Sequence, residues 1–497
     1  MSIDIKKESK LLAKHSIVYG FGNMLNNLAA FLLLPIYTRY LTPNDYGVKE
    51  LVALSTQIIS ILLATAISSA MYRFYFEYED EKNRNEVLSS SIITIGGVGL
   101  IVIFVLSFFT KFLAKVVLNS ADLYLFFIVS FAGLWFQILN DIGNNYLKLR
   151  QKSLTFVSLS FGKLVLAIFL NIYLIIYLKM GVMGVFVSTL ISSMVLAFIL
   201  IVPILIKAGL KFSPEKIKEM LKFGLPLIPS QLGAFIVHLS DRFFLKAYTS
   251  IAETGIYSLG YRFGAIPNNF ISGPFNQIWQ PRRFELYKQE DSEYVFGKIF
   301  TYFLFAMFFA GLGISILTKD LLMIMSDPQF WSAYKITPII VLATTIFSFH
   351  YHFNMGILIS KKTKYLFYIN FSNGIIVLIL NFLLIKPFGI YGAAYATLLA
   401  FIYKVSLTYY FSSKYYKVYF EFARLGKLVA VAAFIYGISL LFNFNNIYLN
   451  FFFKTLLIFT YPFLLYFIGF FTRDELSRVR DFIKSRFVTL KAAYFGS

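Results

Sequence analysis

The sequence predicts an all-α membrane protein with about fourteen transmembrane helices, grouped as two six-helix lobes followed by two further helices. Three observations predict this fold: an apolar composition, fourteen long apolar segments and an internal repeat. Of the 497 residues, 58% are hydrophobic and 14% are charged, and the mean hydropathy is +0.70. Soluble domains carry about 25% charged residues, so the bilayer is the solvent for most of this chain.

Each apolar segment is long enough to cross a bilayer as a helix, which takes about 20 residues. We number these segments as spans 1 to 14, and they cover residues 15–38, 47–72, 88–110, 122–146, 154–177, 182–206, 223–246, 254–280, 297–318, 335–359, 365–385, 389–412, 427–443 and 448–471. The lysines before span 1 resemble the start of a signal peptide, but this apolar run is too long and has no small-residue cleavage site, so we expect a retained span.

The distribution of Lys and Arg predicts the orientation. The two tails and the even-numbered connections carry 32 of the 46 Lys and Arg residues, and the odd-numbered connections carry 9. Because cytoplasmic loops are enriched in these residues, we expect both termini in the cytoplasm of a multi-pass protein of the bacterial cytoplasmic (inner) membrane. The net charge of +21 follows from this topology. Basic residues scattered singly between spans do not form a nucleic-acid-binding face.

An internal repeat relates the first six spans to the next six. Two groups of residues recur at an offset of 208 and a third pair recurs at 210: Tyr40, Asp45 and Gly47 with Tyr248, Glu253 and Gly255; Gly181, Gly184 and Thr189 with Gly389, Gly392 and Thr397; Lys152 and Asn171 with Lys362 and Asn381. Small residues recur in membrane helices by chance, but two distant groups with one offset indicate duplication. Since six is even, the copies have the same orientation, and a pseudo-twofold axis lies along the membrane normal.

The repeat divides the chain into four predicted parts. They are an N-terminal lobe with spans 1 to 6 (1–210), a cytoplasmic amphipathic linker (211–222), a C-terminal lobe with spans 7 to 12 (223–413), and spans 13 and 14 with a cytoplasmic tail (414–497). In the linker, Ile217, Met220 and Leu221 form an apolar stripe, which is typical of a short interfacial helix. Helix breakers within spans 7 and 8, among them Pro226, Pro229, Pro267 and Pro274, are typical of a transport path or of ordinary kinks.

The sequence contains no enzymatic constellation. It has no P-loop, no G-x-G-x-x-G unit and no H-E-x-x-H motif, and its short connections leave no room for a catalytic domain. Cysteine is absent, which excludes thiolate metal sites and thiol nucleophiles. His350 and His352 are two residues apart and lie on different helix faces, so they do not predict a metal pair. We therefore expect neither an enzyme nor a cofactor.

The candidate functional residues are the ionisable groups near or within spans, since each costs about 2.5–3.5 kcal/mol at the centre of a helix and usually faces the interior of a bundle. Basic groups predominate. We expect Arg262, Arg242 and Lys163 to bind an anionic substrate, with Lys404 and Arg73 behind them. Guanidinium groups pair bidentately with phosphate oxygens, so a pyrophosphate fits this set. Arg242 has the alternatives of pairing with Asp241 or of snorkelling towards the interface, and Arg262 and Lys163 have the alternative of a purely structural pairing with another side chain.

Three acidic residues are candidates for coupling transport to a proton or sodium gradient. They are Asp241, Asp141 and Glu50.

Four segments carry a family resemblance: PIYTRYLTPNDYG (35–47), GLPLIPS (224–230), DRFFLKAYTSIAETGIYSLGYRF (241–263), and the G-x-x-G openings of spans 6 and 12. Together they resemble the Wzx-type oligosaccharide flippases, in the polysaccharide transporter family of the multidrug/oligosaccharidyl-lipid/polysaccharide (MOP) exporter superfamily. The resemblance implies a MATE-like fold around a V-shaped cavity. It also implies that undecaprenyl-pyrophosphate-linked repeat units of a surface polysaccharide, such as O-antigen, capsule or exopolysaccharide, are moved from the cytoplasmic to the periplasmic leaflet.

Within the same superfamily, the peptidoglycan-precursor flippase has a functional arginine in span 8, five residues before a proline. Arg262 and Pro267 reproduce this spacing, whereas the arginines of that relative in spans 1 and 2 have no clear match here. The expected partners are the lipid-linked oligosaccharide, membrane lipid, a proton or sodium ion, and polysaccharide polymerase or chain-length proteins. Two rivals remain: a multidrug cation antiporter, which needs a cavity rich in carboxylates, and a glycan polymerase, which needs a large periplasmic loop.

Overall fold

The computed structural model describes residues 31–442 and 444–477, and every regular element in that part of the chain is a helix. The spans comprise Leu34–Tyr40 (the described end of span 1), Pro43–Glu77 (span 2), Glu81–Ser107 (span 3), Tyr124–Leu149 (span 4), Ser153–Asn171 with Ile172–Tyr177 (span 5), Gly181–Ala208 (span 6), Ile228–Leu239 with Asp241–Tyr248 (span 7), Ile251–Gly264 with Gly273–Leu286 (span 8), Ser292–Met325 (span 9), Thr337–Ser348 with His350–Phe353 and Met355–Ile359 (span 10), Lys364–Ser413 (spans 11 and 12), Phe422–Leu441 (span 13) and Ile447–Phe467 (span 14).

Ten helices in the described part are long and apolar enough to cross a membrane, or eleven if the bent span 10 is included. Three features account for the difference from fourteen. Most of span 1 lies outside the described residues, span 8 is broken near its middle, and spans 11 and 12 form one 50-residue helical segment interrupted at Gly389. The prediction of an all-α membrane protein is confirmed.

Spans 11 and 12 form a hairpin rather than one long helix. Gly389 has a φ of +52°, which turns the backbone out of the helical conformation between the two arms. The ring of Tyr365, near the start of span 11, stacks 4.7 Å from the ring of Phe411, near the end of span 12. Since these residues lie at opposite ends of the segment, the two arms are antiparallel, and each is long enough to cross a membrane.

Span 8 changes geometry where the sequence has its helix breakers. The first helix ends at Gly264, a π-helix covers Asn268–Ser272, and a second helix begins at Gly273. Pro267 directly precedes the π-helix. A proline removes a backbone N–H and clashes with the preceding turn, and π-segments are frequent at functional sites. The break therefore falls one turn beyond Arg262.

The repeat found in the sequence has matching backbone geometry. Gly181 opens span 6 with a φ of +56°, and its equivalent Gly389 opens span 12 at +52°. Thr42 caps span 2 by accepting a hydrogen bond from the backbone N–H of Asp45, and Ser250 caps span 8 by accepting one from that of Glu253. Equivalent residues thus begin and turn the helices of both lobes in the same way.

Spans 13 and 14 pack against span 9 through a separate apolar cluster that includes Phe300, Leu428 and Tyr461. A buried ion pair joins Lys454 of span 14 to Asp320 of span 9, with 3.0 Å between Nζ and Oδ2. The side-chain amide of Asn450 donates a further hydrogen bond to Asp320. A charge in the membrane interior is stabilised when it is paired, so these polar residues fix span 14 to span 9.

The segment between the lobes is a helix, Pro214–Gly224, that docks on the N-terminal lobe. Ile217 and Met220 are buried, as their positions in the apolar stripe predict. Lys216 is also buried, and its ammonium group lies 2.5 Å from Glu86. The backbone N–H of Ser213 donates to Ser90 Oγ of span 3.

Candidate functional site

The two lobes meet where spans 2 and 8 begin. A side chain at Gly47 would overlap the carbonyl oxygen of Ile251, and a side chain at Gly255 would overlap that of Pro43. Pro43 and Ile251 are themselves 208 residues apart, so the contact is symmetric: the glycine of each repeat touches the first turn of the other. The odd-numbered connections between spans share one side of the membrane, which we call the odd side. The even-numbered connections share the opposite side, which we call the even side. The glycine contact closes the space between spans 2 and 8 at the odd side.

A cluster of charges lies directly beneath this contact, and we call Lys49, Glu50 and Arg262 the charged cluster. Glu50 Oε1 is 2.7 Å from Lys49 Nζ and 2.9 Å from Arg262 Nη2. The Arg262 contact joins span 2 to span 8, and hence one lobe to the other. Two cations share one carboxylate, so the cluster carries a surplus positive charge.

Tyrosine rings surround the charged cluster. Lys49 Nζ lies 4.6 Å from the ring centre of Tyr46 and 5.3 Å from that of Tyr37. The hydroxyl of Tyr37 donates to Asn171 of span 5. Cations are attracted to aromatic faces, so these rings help to hold the ammonium group of Lys49 in a largely apolar region.

Arg262 is the most accessible member of the charged cluster, with 31% of its side chain exposed. Its guanidinium has five N–H groups. In the described part of the chain, Glu50 is the residue that accepts a hydrogen bond from it. Its other N–H groups form no hydrogen bond with the residues that the structure describes.

Arg242 has a different environment although it is close enough to Glu50 to interact electrostatically. Arg242 and Asp241 are both buried, and their charged groups are 2.6 Å apart. The hydroxyl of Tyr257 donates to the other oxygen of Asp241, and the guanidinium lies 4.1 Å from the ring centre of Tyr261. The carboxylate balances the charge of Arg242, as the structural alternative anticipates.

Lys404 and Arg73 lie apart from the charged cluster. Lys404 is buried with its ammonium 4.9 Å from the ring centre of Phe347, and among the described residues no carboxylate forms an ion pair with it. Arg73 is exposed near the end of span 2 at the even side, where its guanidinium lies over the ring of Phe223. The structure therefore does not bring the five basic residues together in one place.

A polar cavity of about 500 Å³ opens between spans 2, 4 and 5. It lies between the middle of span 2 and the even side, since the contributing residues of span 4 are in its last turns. The lining residues are Gln57, Ser60, Ile61, Ala64, Thr65, Ser68, Asp141, Asn144, Asn145, Lys148 and Phe156. Asp141 interacts electrostatically with Lys163 and Lys148, but the described residues contain no ion pair to it.

Sequence reasoning that followed charges alone missed the amides of this cavity. Gln57, Asn144 and Asn145 lie in spans 2 and 4, and their side chains line the same space as Asp141. The signal was present, because polar side chains within apolar spans usually face a bundle interior or a cavity. Lys49 was missed for another reason: its position at the start of span 2 reads as a residue of the loop.

The comparisons with known proteins place the chain in a family. The family described as "Polysaccharide biosynthesis protein" matches residues 12–287, which is more than half of the sequence. The chain belongs to this polysaccharide biosynthesis family. No curated protein matches the sequence significantly.

Solved structures share the fold of this family member. One, described as the lipid II flippase MurJ in an inward closed conformation, is 17% identical with a TM-score of 0.72, and the match covers 91% of this chain and 99% of that chain. Another is a MATE family multidrug resistance transporter of the MOP superfamily in an inward-facing conformation. It is 16% identical with a TM-score of 0.61, and the match covers 79% of this chain and 95% of that chain. An outward-facing MATE transporter gives 16% identity and a TM-score of 0.54, over 82% of this chain and 95% of that chain.

These matches confirm two expectations from the sequence. The chain is a multi-pass membrane protein with the MOP-type fold, and its resemblance to the polysaccharide branch of that superfamily is borne out by the family match. The solved structures that share this fold are described as a flippase and as multidrug resistance transporters.

Proposed function

We propose that this member of the polysaccharide biosynthesis family is a flippase that moves undecaprenyl-pyrophosphate-linked oligosaccharide repeat units between membrane leaflets. The observation that carries the proposal is the partly exposed guanidinium of Arg262, which shares Glu50 with Lys49 and forms no other hydrogen bond with the described residues. A pyrophosphate is a strong acceptor for such a group, since charge-assisted pairs between guanidinium and phosphate are bidentate. The surplus positive charge of the cluster favours an anion over a cationic drug.

The proposed mechanism is alternating access. The structure is closed at the odd side by the contact between Gly47 and Gly255, while the polar cavity lies towards the even side. With the termini in the cytoplasm, as the Lys and Arg distribution predicts, this is an inward-facing state. The pyrophosphate head enters from the cytoplasm, its polyprenyl tail stays in lipid, and separation of spans 2 and 8 then exposes the head to the periplasm.

Arg262 links substrate binding to that separation. Its ion pair with Glu50 crosses between the lobes, and a bound pyrophosphate competes with Glu50 for the guanidinium. A ligand shifts a conformational equilibrium by its differential affinity for the two states. Loss of this interlobe pair in the bound state lowers the cost of opening the odd side.

The remaining candidates have separate proposed roles. Lys163 contributes positive charge beside the polar cavity, Arg73 lies at its even-side approach, and Arg242 and Lys404 support the C-terminal lobe. Of the three carboxylates proposed for coupling to a proton or sodium ion, Glu50 and Asp241 are paired with cations. Asp141 has no such partner among the described residues, so we propose that the coupling ion acts there. Polymerase or chain-length proteins that receive the flipped repeat unit are the proposed protein partners.

The test replaces Arg262 with Ala and with Lys in a strain whose surface polysaccharide depends on this chain. We expect Arg262→Ala to reduce surface polysaccharide at least ten-fold, with lipid-linked repeat units accumulating in the cytoplasmic leaflet. Arg262→Lys keeps the charge but loses bidentate geometry, so we expect partial export. Immunoblots of membranes establish that each variant is present.

The matched control is Arg282→Ala, which removes an arginine that is exposed at the end of span 8 and paired with Glu285. We expect normal export from this variant. Full export from Arg262→Ala at normal protein levels would remove Arg262 from the substrate site and the proposal would lose its main support.

A further inference from the structure

We propose that the polar cavity between spans 2, 4 and 5 is a carbohydrate subsite, separate from the pyrophosphate site at Arg262. The inference rests on the proposed function and deepens it, because it assigns the two parts of one substrate to two places. The pyrophosphate contacts the charged cluster, and the first sugars of the repeat unit occupy the polar cavity.

Most polar side chains of the cavity form no hydrogen bond with the described residues; an exception is Asn145, which accepts one from the hydroxyl of Tyr72. In the described part of the chain, the side chains of Gln57, Ser60, Thr65, Asp141 and Asn144 have no hydrogen-bonding partner, although all five line the cavity. Ser68 Oγ is buried there and also lacks a partner. Gln57 and Asp141 are exposed and the other side chains are partly exposed, so their donors and acceptors are open to a polar ligand that enters the cavity.

The chemistry of the wall matches a sugar better than an anion. Side-chain amides and hydroxyls both donate and accept hydrogen bonds, as sugar hydroxyls do. Asp141 adds an acceptor for sugar hydroxyls, and its charge disfavours an anion in the cavity. The cavity volume of about 500 Å³ falls within the range of small-molecule sites, about 300–1,000 Å³.

The position of the cavity relative to Arg262 fits one extended substrate. Gln57 follows Glu50 by seven residues on span 2, which places the two side chains on the same helix face about 10 Å apart along the axis. Glu50 contacts Arg262 at the upper end of this face, and Gln57 begins the polar cavity below it. A pyrophosphate at Arg262 therefore has its attached sugars directed along span 2 towards Asn144.

The experiment compares two probes that differ only in their sugars. Purified full-length chain is titrated with undecaprenyl pyrophosphate, and separately with lipid-linked repeat units extracted from a strain that lacks this chain. In the double variant Gln57→Met/Asn144→Leu, both amides become apolar groups of similar size. Because each lost hydrogen bond weakens binding several-fold, we expect affinity for the repeat-unit lipid to fall about ten-fold and affinity for undecaprenyl pyrophosphate to stay unchanged.

Controls separate this inference from the proposed function. Gln289→Met/Gln329→Met removes two exposed amides outside the cavity, and it should bind both probes like the wild type. Equal binding of the repeat-unit lipid by the cavity variant and the wild type overturns the carbohydrate subsite. Failure of the wild type to bind either probe contradicts the proposed function itself. Retained binding of undecaprenyl pyrophosphate shows that the variant is folded, and Asn144→Leu alone is measured in the same way if the double variant does not reach the membrane.

Discussion

Arg242 and Arg262 lie on consecutive spans, yet the structure gives them different environments. The guanidinium of Arg242 is buried against Asp241 and two tyrosine rings, so its charge is balanced inside the C-terminal lobe. The guanidinium of Arg262 shares its carboxylate with Lys49 and is partly exposed. The two arginines differ in the number of cations that share their carboxylate, and on this basis we propose a structural role for Arg242 and a ligand-binding role for Arg262.

Removal of Asp241 tests the structural role of its ion pair with Arg242. In Asp241→Ala, Arg242 keeps its buried charge without the carboxylate, which costs about 3–5 kcal/mol in comparable pairs. We therefore expect a clear loss of thermal stability, measured as the midpoint of unfolding in detergent. Asp241→Ala/Arg242→Leu removes both charges and should recover much of the loss. A single variant as stable as the wild type would show that the pair does not stabilise the lobe.

The pairings were only partly predictable from the sequence. The adjacency of Asp241 and Arg242 suggested an ion pair, and that alternative describes Arg242 well. The contact between Glu50 and Arg262 joins residues 212 positions apart, and charges in spans do not reveal which helices meet. The polar cavity could not be predicted for the same reason. The sequence does not show that Gln57 of span 2 and Asn144 of span 4 line the same space.

At the scale of the helices, the symmetric contact between spans 2 and 8 determines how closely the lobes approach. Gly47 and Gly255 bring the two backbones together because neither carries a Cβ. The contact has two equivalent halves, since Gly47 meets Ile251 and Gly255 meets Pro43. Small residues permit such close helix approach in membranes, so these glycines act as the closing surface at the odd side.

A single methyl group tests this closing surface. Gly47→Ala places a Cβ against the backbone of Ile251, and overpacking of this kind costs about 1–3 kcal/mol. We expect the closed state to lose population roughly ten-fold and export to fall with it. Gly97→Ala is the matched control, since a Cβ at Gly97 on span 3 meets no atom within 4 Å. Export of repeat units, normalised to protein in the membrane, is the measurement, and equal export by both variants would count against the closing role.

The sequence predicted most elements because their signals are local. Apolar length identified the spans, and the positions of Gly181 and Gly389 identified equivalent turns before their φ values were known. The π-helix of span 8 could be placed only as an interruption near Pro267, since the helix type depends on how the backbone finds new hydrogen bonds after the break. Lys216 is buried beside Glu86 because the linker docks on span 3. The amphipathic pattern of the linker does not predict this docking.

On the scale of the whole molecule, the duplicated lobes meet at the odd side through the contact between spans 2 and 8. The charged cluster lies beneath this contact, and the polar cavity opens within the N-terminal lobe towards the even side. Composition and the repeat were sufficient to predict this class of fold. The side of the membrane that each end faces is a separate prediction, which depends on the unequal distribution of Lys and Arg.

Single cysteines test that orientation directly, because the natural sequence contains none. Lys179→Cys lies in the connection between spans 5 and 6, and Gln289→Cys lies in that between spans 8 and 9; both positions are exposed. In intact cells with a permeable outer barrier, we expect a membrane-impermeant maleimide to label Lys179→Cys. Gln289→Cys should be labelled only after the membrane is disrupted. The reverse pattern would invert the proposed direction of transport.

Transport by the purified chain tests the account most directly. Proteoliposomes carrying undecaprenyl-pyrophosphate-linked repeat units are treated with membrane-impermeant periodate, and the accessible fraction of sugar is followed with time. We predict that the wild-type chain exposes the lipids initially held in the inner leaflet, and that Arg262→Ala does so at least ten-fold more slowly. Wild-type vesicles that behave like protein-free vesicles, or equal rates for the wild type and Arg262→Ala, would contradict the account.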